Sequence, residues 1–100
     1  MKRCLIWGTG VYFKNNIHLL QYYEQCDQIN IIGITSNESF YDSILGYPFI
    51  KKRNIDIIEF DLLIIMSNKK NFLAIKNEAI SKGINEEKIV YYNQKTAQID

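Results

Sequence analysis

Three short polar stretches hold the residue types best suited to chemistry: Gly8-Thr9-Gly10, Thr35-Ser36-Asn37 and Ser67-Asn68. Glycine lets a backbone come close to a ligand, and a helix starting at such a turn aims free N–H groups at an anion. Hydroxyls and side-chain amides add partners for phosphate oxygens and sugar hydroxyls. The chemistry these types suit is the binding of a phosphate-bearing small molecule, with Gly8, Thr9, Gly10, Ser36, Asn37, Ser67 and Asn68 as its contacts. The serines and asparagines suit helix capping equally well, and one residue can do both. No Ser-His-Asp set, carboxylate pair or metal-ligand spacing can be assembled, so no catalytic residue and no metal ligand is expected.

Other reactive types have plainer readings. Lys69 and Lys70 occupy the first turn of an expected helix, where the macrodipole disfavours positive charge. They are either ligand contacts or tolerated surface residues. Lys51-Lys52-Arg53 reads as a solvated connection, with a phosphate contact as the alternative. His18, the only histidine, falls on a polar helix side with Lys14, Gln21 and Gln25. Cys4 and Cys26 read as two buried, reduced thiols. Tyr47…Lys51 and Tyr91…Lys95 imitate a Y-x-x-x-K motif but lie in expected strands, where that spacing does not stack the two side chains.

The elements that must position these residues follow from apolar periodicity. Strands are expected near 3–7, 29–35, 47–50, 61–66 and 88–92, most of them nearly continuous apolar runs, as in a parallel sheet covered on both faces. The 47–50 strand carries Pro48 and belongs at a sheet edge. A helix is expected from Val11 to Cys26, its apolar side made by Tyr12, Phe13, Ile17, Leu19, Leu20, Tyr23 and Cys26. A second runs from Lys69 to Lys82, with Phe72, Leu73, Ile75, Ala79 and Ile80 inward, a Glu78–Lys82 pair, and Gly83 as its stop. Residues 38–45 read as a loop with a helical turn, and 54–60 as a short helix or turn. The alternation predicts an α/β fold, a Rossmann-like three-layer sandwich with a mainly parallel sheet. Residues 1–92 form the domain and 93–100 a tail or the start of a linker.

Bulk properties narrow the function. At 100 residues, 47% hydrophobic and 13% aromatic, the chain is large enough for one cored domain. A net charge of +1 does not suit a nucleic-acid binder. The apolar runs are too short for a membrane span or a signal peptide, so a cytoplasmic location is expected. A complete G-x-G-x-x-G would need glycine where Phe13 stands, and the acid that holds ribose hydroxyls after the second strand is replaced by Thr35-Ser36-Asn37. Both departures argue against NAD(P).

Over essentially its whole length the chain resembles the N-terminal Rossmann-like, CoA- or nucleotide-sugar-binding-like module of bacterial polysaccharide-biosynthesis and nucleotide-sugar epimerase-related proteins. The matching pieces are IWGTG at 6–10, IIGITSN at 31–37, GYPFI at 46–50, DLLIIMSN at 61–68 and GINEEKIV at 83–90. The resemblance implies a nucleotide-sugar or dinucleotide ligand at the glycine turn, and a fused or partner catalytic domain. Three readings follow: a phosphate-ligand binding module not catalytic alone, a small NAD(P)-dependent epimerase or dehydrogenase domain, and a non-binding scaffold for homo-oligomerisation.

Overall fold

A computed structural model describes residues 1–37, 42–93 and 98–99. Strands β1 (Lys2–Trp7), β2 (Ile29–Thr35), β3 (Ser43–Ile44), β4 (Tyr47–Pro48), β5 (Leu62–Ile65), β6 (Ile89–Asn93) and β7 (Gln98–Ile99) accompany helices α1 (Val11–Gln25) and α2 (Lys69–Ser81). The sheet order is β2-β1-β5-β6-β7. The first four of these strands are parallel, and β7 pairs antiparallel with β6 through Tyr92 and Asn93. The fold is the expected Rossmann-like α/β sandwich.

The strand order follows from two crossovers running in opposite directions. From β1 the chain passes through α1 to β2 on one side, then returns to place β5 on the other side of β1. Alternating side chains on these strands consequently feed two separate cores. Cys4 and Ile6 of β1, with Ile64 of β5 and Met66, pack under Phe13, Ile17 and Leu20 of α1. Leu5 and Trp7, with Leu63 and Ile65, pack under Ile75 and Ala79 of α2 and against Ile55 and Phe60. On β2, Cys4 pairs with Ile31 but Leu5 pairs with Gly33, so Ile32 is an extra residue. This bulge switches which parity faces α1: Ile31 before it and Ile34 after it reach the same core.

Both helices end as their sequences dictate. Gly83, at φ 91°, donates its N–H to Ile80 O, and Ile84 donates to Ala79 O, a Schellman end that stops α2 where expected. Helix α1 ends in the same arrangement with Asp27 at φ 59° in the left-handed place. Its Asp27 and Gln28 N–H groups donate to Glu24 O and Tyr23 O.

Several sequence expectations are corrected. The 47–50 segment lies at the sheet edge, but Tyr47–Pro48 pairs antiparallel with Ser43–Ile44 across a Leu45-Gly46 turn. Only Phe49 bridges to β2, reinforced by Ile50 N–H donating to Ile34 O at 2.8 Å. The loop expected at 38–45 is thus strand from Ser43, while 38–41 lie outside the described residues. Glu78 pairs with Lys52 at 2.6 Å instead of Lys82, which also anchors part of the basic triplet to α2. Leu73 and Ile80 are exposed, and so is Cys26, leaving Cys4 as the one buried thiol of the two. In each case periodicity assigns an apolar residue to a side, but the covering segment does not extend over it. His18 is exposed, as expected. The tail expected at 93–100 is described only at 98–99, where the backbone returns to the sheet as β7.

Candidate functional site

The strand order reverses between β1 and β5, and a crevice opens beyond the carboxyl ends of strands at such a point. A hollow of about 240 Å³ lies there. Gly8, Thr9, Gly10, Ser36, Asn37, Ser67 and Asn68 all line it, so the three polar exits meet around one space. Trp7, Tyr12 and Asn71 also belong to the wall.

Gly8 is what allows β1 and β5 to come together at this rim. It adopts φ 134°, and a Cβ there would collide with the carbonyl oxygen of Met66. Its N–H donates to Thr35 O at 2.8 Å, and Met66 N–H donates to Trp7 O at 2.9 Å, so these donors knit the strand ends together. Gly10 differs: at φ −85° it is the N-cap of α1, and a Cβ on it would meet nothing within 4 Å. The fold therefore makes no steric demand for glycine at position 10.

The electrostatic centre of the hollow is the start of α1. The first bond of this helix runs from Lys14 N–H to Gly10 O, so the N–H groups of Val11, Tyr12 and Phe13 precede it. Gly10 offers no side chain to cap them, and the first turn carries no acid. Helix α2 is built the other way: Asn68 Oδ1 accepts the Asn71 N–H at 2.7 Å. The Ser67 hydroxyl donates to Asn68 O at 3.0 Å. Capping is thus a role Asn68 performs, and a ligand at its side chain would compete with that bond.

None of the residues lining the hollow is charged. Lys69 and Lys70 are exposed but do not line it, nor do Lys51, Lys52 and Arg53, so the lysine contacts weighed from sequence are not part of this wall. Attraction for an anion here rests on the helix dipole, equivalent to roughly half a charge, and on backbone N–H groups. Among the described residues, no three His, Cys, Asp or Glu side chains group as metal ligands. No helix among them is long and apolar enough to cross a membrane.

Two polar atoms beneath the rim have no partner: Trp7 Nε1 and Thr35 Oγ1, both in fully buried side chains. Behind the wall, the Tyr92 hydroxyl donates to Asn16 Oδ1 at 3.4 Å, and Asn16 Nδ2 donates to Tyr12 O at 2.9 Å. Burial pushes the Tyr92 hydroxyl above its ordinary value. Periodicity had marked neither Asn16 nor Trp7 as part of the site. The available signal for Trp7 was its position as the last strand residue before the glycine turn.

Beside the hollow, and sharing Thr9 with it, runs an apolar groove of about 290 Å³ between α1 and the β3–β4 hairpin. Phe13, Ile17, Ile44 and Leu45 form its sides, with Lys14 in the wall. Phe13 occupies the place of a third fingerprint glycine and is buried in the α1 core. The hairpin is held by Glu24, which accepts the Tyr47 hydroxyl on Oε1 and the Ile31 N–H on Oε2, each at 2.7 Å.

A doubly wound parallel sheet with a polar, uncharged hollow at its switch point defines a Rossmann-like α/β domain. More narrowly, the chain belongs to the C2185-like N-terminal domain family, which matches residues 1–90. No curated protein matches the chain.

Proposed function

We propose that the domain binds a nucleotide sugar or a related phosphate ligand in the hollow, as a module of a bacterial surface-polysaccharide biosynthesis protein. The observation that carries this reading is the convergence of all three polar strand exits on the uncapped start of α1. Phosphate oxygens accept from the N–H groups of the first turn, and the neighbouring groove gives an apolar part of the ligand a surface to lie on. The module holds its ligand for a catalytic domain, fused or on a partner chain, because the hollow itself holds no acid, base or nucleophile of catalytic type beyond the Thr9, Ser36, Ser67 and Tyr12 hydroxyls. The reading puts this work in the cytoplasm.

NAD(P) fits less well. Phe13 fills the position where a glycine would bring helix and strand together, and Ser36 and Asn37 stand where a ribose-binding acid is needed. Self-association has one observation in its favour. Leu73 and Ile80, seven positions apart on one side of α2, are 61% and 39% exposed.

Thermal unfolding with UDP, UDP-sugars and NAD separates these readings, since a ligand of the native state raises Tm by mass action. A shift with UDP-sugars and none with NAD is expected. A shift with NAD alone moves the assignment to a dehydrogenase-type domain. No shift with any of them, together with a dimer in sedimentation, favours the scaffold.

A further inference from the structure

The indole of Trp7 is part of the wall of the hollow, yet it is 1% exposed and its Nε1–H has no hydrogen-bond partner among the described residues. Such a donor is rare, because a buried N–H that has lost its water and found no acceptor carries the full cost of desolvation. Elsewhere in this core the polar groups find each other: the Tyr92 hydroxyl reaches Asn16, and Asn16 reaches Tyr12 O. Trp7 departs from that pattern at the place where the strand order reverses and three polar exits converge. Phenylalanine would offer the same apolar contact with Leu63, Ile65 and Ala79 without the unsatisfied donor.

We infer that Trp7 is a ligand-reading residue, whose Nε1–H is donated to an oxygen of the phosphate ligand held at the start of α1. This rests on the proposed site and extends it from backbone N–H groups to one specific side chain. The nitrogen is closed to solvent in the free protein, so the bond forms with a local adjustment of the wall. The donor selects for an acceptor group, as phosphate and sugar oxygens are, against ammonium or hydrocarbon at that position. Because the chain has a single tryptophan, one indole signal reports the event.

The test uses the whole chain, labelled with nitrogen-15 and titrated with UDP, inorganic phosphate and NAD. A saturable downfield shift of the single indole N–H resonance with UDP is expected, sharing its midpoint with the Gly10, Val11 and Tyr12 amide shifts. Trp7→Phe is expected to weaken UDP binding by about tenfold, the lower end for a hydrogen bond to a charged group, with a free-protein Tm equal to wild type or higher. If those amides titrate while the indole stays still, or if Trp7→Phe binds as tightly as wild type, the Trp7 assignment falls and the glycine corner stands. If none of the three probes moves either set of resonances, the proposed site falls and takes this assignment with it. Should Trp7→Phe not fold, the wild-type indole titration decides alone.

Discussion

Gly8 and the carbonyl of Met66 lie so close that no side-chain carbon fits between them. The ends of β1 and β5 meet there because residue 8 has none, and the hollow takes its shape from that contact. Two residues later Gly10 has open space around it. One glycine of the turn is thus required by the fold, and the other is free to serve a ligand.

Gly8→Ala forces both a positive φ and a steric clash, so a loss of stability of about 2 kcal/mol or more is expected. Gly10→Ala has neither problem, and its Tm should stay within a few degrees of wild type. Gly10→Val should then abolish a ligand-induced Tm shift while circular dichroism still reports the native fold. A shift that survives in Gly10→Val removes the glycine corner from the binding site.

Asn68→Ala removes the side chain that caps α2, for an expected loss of about 1 kcal/mol in urea unfolding. Ligand affinity should change little, because the amide oxygen is already engaged by Asn71. A large loss of affinity with no loss of stability would assign Asn68 to the ligand instead of the helix.

Glu24 holds the edge strand and the hairpin with one carboxylate. Glu24→Ala leaves the Ile31 N–H and the Tyr47 hydroxyl without it, so a loss of about 2 kcal/mol is expected. It also frees part of the β2 edge, and faster aggregation on storage should accompany the loss. Light scattering and chemical unfolding of the same sample check both. Burial, followed by the nearby Glu24, raises the Tyr47 hydroxyl pKa, consistent with a proton held between them.

The two thiols should behave differently. Burial, with Asp61 and Glu24 adding to it, raises Cys4 from 9.0 to about 11, whereas Cys26 is exposed. A thiol reagent at pH 8 should modify one cysteine in the native protein and two after unfolding. The sign for stability follows from the raised folded value. The Cys4 contribution is complete below pH 9.0, where the unfolded thiol is still protonated, and disappears as pH rises towards about 11. Unfolding free energy measured across that window should therefore fall, and Cys4→Ala should flatten the fall.

Much of this molecule is legible along the chain. The apolar runs 3–7, 29–35 and 61–66 mark β1, β2 and β5 to within a residue or two. Gly83 marks the end of α2 because only a residue at ease at φ 91° closes that turn. The polar exits are legible for the same local reason: an apolar strand changes to small hydrogen-bonding residues where it leaves the sheet. The hairpin is not legible, because Ser43–Ile44 is too short to show an alternation and its pairing depends on a Leu45-Gly46 turn with no strong turn signal at Leu45.

What the sequence by itself determined is the set of strand–turn–helix units and the residue types at their junctions, since backbone geometry and period are local properties. Tertiary structure alone decided which junctions face one another, which glycine is sterically required, and that the indole of Trp7 comes to rest in the wall without a partner. It also decided that Glu78 reaches Lys52, and that nothing among the described residues covers Leu73. Those outcomes depend on strand order and on contacts between residues far apart in the chain, and a period fixes only the side on which a residue lies, never what arrives to meet it.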